Sequence, residues 1–181
     1  MDNYFPKTQS GLTLIELMIV IVIVGILTSL AAPSFVSVTQ RFRALGEINA
    51  FGGDLLYARS EAIKAGADVV ICAANTTSTD CSSSNTWHLG WIVYSVPDTG
   101  TGVKKILKVQ KRWASTDTMI ASPTTTDVTF TRDGFAPSLS GAGVVTFVLT
   151  TTPANPFALQ CMELSKQGRQ QIVAKGTGAC S

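Results

Sequence analysis

Histidine is nearly missing from this sequence: His88 is the only one in 181 residues. Without a second imidazole, and with Cys72, Cys81, Cys161 and Cys180 forming no C-x-x-C pair, the chain offers neither a zinc ribbon nor a thiol redox motif. Charge is scarce too. Charged residues make up 14% of the chain, against about 25% in ordinary globular proteins, and the net charge is only +2. A bulk polycation is thereby excluded, and attraction to nucleic acid would have to come from a local patch. There is no Gly-x-Ser-x-Gly elbow, no phosphate-cradling glycine-rich loop and no internal repeat. Asp133 beside Arg132 reads as a turn former, and His88 as the cap or border of a strand. The residues therefore point away from an enzyme and call for no metal and no cofactor. A membrane-anchored enzyme is the rival class.

What the chain has in excess is apolar side chains, 45% of the total, and they are concentrated at one end. From Leu12 to Ala32 run 21 residues whose only formal charge is Glu16. As a helix this run covers roughly 30 Å, the hydrocarbon thickness of a bilayer. It is too long for the apolar core of a signal peptide, which spans about 7–15 residues. The natural cut lies at its start, after Gly11. An ionised carboxylate in hydrocarbon costs at least about 2.5–3.5 kcal/mol, so Glu16 calls for a partner. If Leu12 carries a new α-amino group, Glu16 is the fifth residue, and the amine of its own or a neighbouring chain is the nearest cation of similar depth. Pairing between chains would fix the stagger of two packed helices. The simpler alternative is an acid near the end of a signal anchor, reaching up to the headgroups.

Beyond Pro33 the pattern becomes amphipathic. Phe35, Val38, Phe42, Leu45, Ile48, Phe51, Leu55 and Ile63 recur at three- and four-residue steps, with Gln40, Arg41, Arg43, Glu47 and Asp54 between them. Gly46, Gly52 and Gly53 each cost about 1 kcal/mol in a helix. They signify either close packing on a sheet, the simpler reading, or a segment that melts. Gly66 is placed to end the helix as a left-handed cap.

From Ala67 onward the signals are β. Strands are expected at Asp68–Cys72, Gly90–Ser95, Val103–Trp113, Thr126–Thr131 and Gly143–Thr150, with a hairpin of Leu159–Leu164 and Gln170–Ala174 around Gln167 and Gly168. In Val103–Trp113, Val103, Leu107, Val109 and Trp113 should share one face and Lys104, Lys108 and Arg112 the other. Arg132, Asp133 and Gly134 form a turn. The fold class is α+β: a long N-terminal helix, half transmembrane and half amphipathic, packed on a C-terminal antiparallel β domain. The expected segments are a leader at 1–11, the membrane helix at 12–33, the amphipathic helix at 34–65 and a globular β domain at 66–181.

A domain beyond a membrane anchor would lie in the periplasm, where thiols are oxidised. Four cysteines allow three pairings, of which Cys72–Cys81 and Cys161–Cys180 close local loops and are favoured. Each contributes on the order of 3 kcal/mol by loop entropy. The first closes the Ala74–Asn85 loop; the second pins the carboxy terminus.

Gly11-Leu12-Thr13-Leu14-Ile15-Glu16 and the apolar run after it resemble the class III leader and N-terminal helix of type IV pilins and type II secretion pseudopilins. The resemblance implies prepilin cleavage between Gly11 and Leu12 by a prepilin peptidase, N-methylation of Leu12, Glu16 as the assembly carboxylate and Pro33 as a helix kink. Leu12 departs from the phenylalanine that is commonest in the family. Tyr57–Ala62, Gly90–Tyr94, Phe130–Phe135 and the Cys161–Cys180 tail with its Gly168-Arg169 pair resemble the FimT/FimU minor pilins and the H-type pseudopilin. Such subunits stand at or near a filament tip. The implied partners are other pilins or pseudopilins, the peptidase and the inner membrane. The implied location is a single pass of that membrane with a periplasmic domain, then the pilus or pseudopilus.

Some FimT-like members take up DNA through a C-terminal Gly-Arg-x-Arg motif. Here Gly168, Arg169, Gln170 and Gln171 occupy it, so the second arginine is missing. Two basic groups remain as a candidate DNA surface: Lys104, Lys108 and Arg112, and Lys166, Arg169 and Lys175. Phosphate binding needs several such cations together. The simpler reading is that they guard a strand edge against aggregation.

Overall fold

The structure, a computed structural model, describes residues 11–96, 104–139, 143–173, 175–176 and 178–180, without the side chains of residues 30–34. The leader before Gly11, the side chain of Pro33, and Val103 lie outside the described residues. The chain divides into two compact units, Met1–Val38 and Thr39–Ser181.

Helix α1 runs from Leu14 to Ala65. It opens on a Thr-x-x-Glu pattern, in which Thr13 Oγ1 accepts the Glu16 backbone N–H at 3.3 Å, as an N-cap does. It closes at Gly66, whose φ of +63° is the left-handed cap expected there. Among the described residues no helix is long and apolar enough to cross a membrane.

In the second unit the helix buries a narrower stripe than the sequence suggests. Ala44, Ile48, Phe51, Leu55, Ala58 and Ala62 are the buried apolar side chains, spaced by three and four. Phe42 is 69% exposed and Ile63 52%, so the large side chains expected on the core face at those positions stand off it. Phe35, in the first unit, is also exposed. Alanines carry both ends of the stripe because they let the helix approach the sheets closely. Gly52 shows the same demand: a Cβ there would come within 2.6 Å of Met162 Cε. Gly46 and Gly53 face open space.

Among the described residues eight strands form two four-stranded antiparallel sheets. The first has the order β3-β2-β1-β5, from β1 (Val69–Ala73), β2 (Gly90–Ser95), β3 (Lys105–Lys111) and β5 (Asp127–Phe130). The second has the order β4-β6-β7-β8, from β4 (Thr118–Ser122), β6 (Val144–Thr150), β7 (Gln160–Ser165) and β8 (Gln170–Val173). The sequence expectations contain no strand at β4, although buried Met119 and Ala121 alternate with exposed Thr118 and Ile120 there, the pattern of a half-buried strand.

Phe51 joins helix and sheets. Its ring meets Trp91 of β2 at 5.1 Å, Phe147 of β6 at 4.6 Å and Trp87 at 5.4 Å, all edge-on. Edge-to-face packing suits the aromatic quadrupole and adds about 0.5–1.5 kcal/mol per pair beyond area burial. Both disulfides, Cys72–Cys81 and Cys161–Cys180, are present, closing separations of 9 and 19 residues.

The alternation expected in β3 is broken by a bulge. Register shifts between Val93 and Tyr94, so that Lys108 pairs with Val93 and Ile106 with Tyr94. Leu107 becomes the extra residue and packs on the core, while Val109 falls opposite Ile92 and is 41% exposed. The sequence pattern placed Val109 on the core face and Lys108 on the solvent face. One inserted residue exchanges the two.

Candidate functional site

The N-terminal helix presents apolar side chains almost without relief: Leu12 is 75% exposed, and Leu14 to Leu27 are exposed throughout. Its hydroxyls are satisfied locally, Thr28 Oγ1 donating to Val24 O at 2.9 Å and Ser29 Oγ to Ile26 O at 2.8 Å. Glu16 differs from them. Its backbone is capped, yet its carboxylate forms no ion pair among the described residues. An exposed apolar surface with one unpaired acid, four residues beyond Leu12, is suited to meeting other helices that bring their own cation.

On the β domain the candidate DNA-binding residues do not converge. Lys104 binds Asp80 at 2.7 Å and lies 5.0 Å over the Tyr94 ring. That pair holds the Asp80 carboxyl below, and the Lys104 amine above, its ordinary range. Burial, foremost, holds the Tyr94 phenol high. Lys108 binds the Asp54 carboxylate on the helix, which also accepts from Trp91 Nε1 at 2.9 Å. Arg112 remains exposed at the edge of a cleft of about 550 Å³ shared with the Cys72–Cys81 loop. The other three belong to the second sheet or its tail. Arg169 donates to Gln171 Oε1 at 2.7 Å. Lys166 packs beside Gly143. Lys175 lies beyond the end of β8, with the whole of that strand between it and Arg169.

Sequence reasoning missed the polar residues by which the helix grips the rest of this unit. Arg43 makes a two-pronged pair with Asp117, Nε to Oδ2 at 2.8 Å and Nη2 to Oδ1 at 2.7 Å, and its pKa rises mainly through that bond. Glu47 Oε1 accepts from Ser115 Oγ at 2.6 Å, while its Oε2 is buried without a hydrogen-bond partner. Burial, foremost, lifts the Glu47 pKa. Arg59 donates to the carbonyls of Gln167 and Gly168. The signal for this set lay in the sequence as charges recurring along a helix face that was read as solvent.

His88 is a strand cap: its Nδ1 accepts the Met119 backbone N–H at 3.2 Å. Among the described residues no group of three or more His, Cys, Asp or Glu could hold a metal.

Comparison with known proteins bears on both units. Residues 6–32 match the prokaryotic N-terminal methylation motif, which contains Gly11, Leu12 and Glu16. Two fimbrial proteins of Pseudomonas aeruginosa are each 43% identical over 70 residues, covering 37% of this chain and 43% of theirs. The chain thus aligns with less than half the length of those relatives. Two crystal structures of the type IV minor pilin FimU of Pseudomonas aeruginosa share the fold. They have TM-scores of 0.57 and 0.55 at 23% identity, covering 81% and 77% of this chain and 99% and 98% of theirs. Residues 47–177, most of the second unit, match the family model of the type II transport protein GspH, and the chain belongs to that family.

Proposed function

We propose that this chain is a minor subunit of a type IV pilus or a type II secretion pseudopilus, at or near the filament tip. It joins the filament through its N-terminal helix and Glu16. The observation that carries this reading is the unpaired Glu16 carboxylate on an exposed apolar helix, inside a stretch that matches the N-terminal methylation motif. In this reading residues 1–11 are a leader removed after Gly11 by a prepilin peptidase, and Leu12 is then methylated. Residues 12–33 anchor the chain in the inner membrane until assembly, Pro33 bends the helix, and residues 34–65 continue it onto the periplasmic β domain at 66–181. Extraction into the filament exchanges lipid for sister helices, and Glu16 meets the amine of a neighbouring subunit there. A buried charge pair of this kind contributes through register, since a misplaced helix leaves both charges unpaired.

Glu16→Ala should leave processing intact and lower incorporation into sheared filaments, read by immunoblot. Normal incorporation of that variant would remove the proposed pairing. Gly11→Val should yield a product heavier by the 11-residue leader in mass spectrometry; a fully mature product would move the cleavage site elsewhere.

A further inference from the structure

Four strands end the two sheets, and two of them, β4 and β5, carry side-chain caps on their outward backbone. The outward backbone of β4 is capped by side chains. Asn85 accepts from Ala121 N and donates to Ala121 O, each at 2.8 Å, and His88 accepts from Met119 N. These two residues imitate the strand that is not there. Over β5 the following loop folds back, Ser138 Oγ accepting the Thr129 N–H at 3.0 Å. Strand β8 is four residues long and lies beside the helix, with Gln170 Nε2 donating to Gly52 O. Strand β3 is different. It has seven residues, and the one side-chain bond to its backbone among the described residues is from its own Gln110 to Lys111 O.

An open edge of this length is a template for another strand. Its chemistry selects which. Residues 104–112 hold five cations and no acid. Lys104 and Lys108 are matched by Asp80 and Asp54, but Lys105, Lys111 and Arg112 have no carboxylate partner among the described residues. Register places Ile106, Val109 and Lys111 opposite Tyr94, Ile92 and Gly90 on the outer face. There Ile106 is 45% and Val109 41% exposed. Lys105 falls opposite Ser95 on the other face, so unmatched cations stand on both faces of the edge, Lys111 beside the apolar pair and Lys105 across from it. They repel a second copy of the same edge, yet suit an extended segment that brings apolar side chains to Ile106 and Val109 and acids to both faces.

We propose that β3 is a docking edge that accepts an extended acidic segment of another polypeptide as an added strand. Backbone hydrogen bonds hold the segment, Ile106 and Val109 receive its apolar side chains on the outer face, Lys111 receives a carboxylate at the end of that face, and Lys105 receives one on the other. This goes beyond filament membership: a subunit that fails to assemble through Glu16 should still bind.

The test uses the full chain in detergent and a fluorescein-labelled peptide of about nine residues, one strand in length, that alternates glutamate with valine and ends in a glutamate pair at each terminus, so that acids reach both faces. Anisotropy should show saturable binding at low salt, and hydrogen exchange should show protection within residues 105–111. N-methylation of the peptide amides that face the strand should weaken binding at least tenfold. So should the double reversal K105E/K111E, with circular dichroism checking that the variant is folded. The N-methyl comparison uses unaltered protein and stands even if that variant misfolds. No binding at low salt would overturn the proposal. Equal binding of the N-methylated peptide or of a lysine–valine peptide would do the same. Displacement by single-stranded DNA together with absent amide protection would reassign the edge to phosphate binding.

Discussion

Arg59 on the helix donates through Nη1 to the carbonyl oxygen of Gly168 at 3.0 Å, fastening the β7–β8 turn to α1. Gly168 has φ +73°, and a Cβ on it would overlap the Gly134 carbonyl oxygen and press on Arg59 Nε. Three segments on which the family resemblance rests, around Arg59, Gly134 and Gly168, therefore meet at one point. The glycine of the Gly168-Arg169 pair serves the fold here. Gly168→Ala should destabilise the domain by about 2–4 kcal/mol, combining left-handed strain with a backbone clash. Gly66→Ala, at a left-handed position with open space around it, should cost about 1 kcal/mol, from strain alone. Chemical unfolding of both variants separates the two contributions.

Asp54 joins the helix to the first sheet, with Trp91 Nε1 and Lys108 as its two donors. The carboxylate is buried, so removing it strands the indole N–H and leaves Lys108 without its anion. Asp54→Ala should cost about 3 kcal/mol. Asp54→Asn retains an acceptor for Trp91 and should cost roughly half as much. Urea unfolding followed by tryptophan emission reads both variants. Equal losses would show that the indole bond contributes nothing separable.

Glu47 gives the domain a specific response to pH. Burial raises its pKa in the fold above the ordinary glutamate value. The fold thus favours the protonated acid, and this contribution is full below the unfolded pKa and disappears as pH rises through the folded one. Glu47→Gln, neutral at every pH, should be more stable than the parent at pH 7 by about 2 °C in Tm, the size of a change near 0.5–1 kcal/mol. That advantage should shrink as pH falls toward the ordinary glutamate range. Differential scanning at pH 7 and pH 4 checks it, and a constant difference would contradict the assignment.

The helix, its glycine cap, the disulfide-closed loop and most strands were legible because each rests on local signals: apolar periodicity, β-branched runs and turn residues. What the sequence concealed is non-local. The bulge at Leu107 arises from pairing between β2 and β3, so strict alternation put Val109 and Lys108 on the wrong faces. The buried stripe of α1 depends on how near the sheets come, which selects Ala44, Ala58 and Ala62 over Phe42 and Ile63. Strand β4 is short and sits in a Ser- and Thr-rich stretch, where two alternating residues were too faint to stand out. Glu16 was legible as an unpartnered acid in an apolar run, since that argument needs only composition and length.

The same non-local pairing decides what the basic residues can do to a polyanion. Binding to DNA draws on released counterions, and log K falls with log salt by about 0.9 for each phosphate neutralised. If all six candidate cations acted together the slope would approach about −5. Lys104 and Lys108 already face Asp80 and Asp54, so their positive charge is largely cancelled before any phosphate arrives. Arg112 belongs to the first sheet's side, while Lys166 and Arg169 share one end of the β7–β8 hairpin and Lys175 lies past the other. No more than about two or three of them can meet one duplex segment, so gel shifts of the full chain in detergent should give a slope of about −2 to −3. Retardation should vanish between low and moderate salt. A slope near −5 would mean that Asp54 and Asp80 release their lysines on binding, and the ion pairs that tie this edge to the helix and to the Cys72–Cys81 loop would then be part of the recognition.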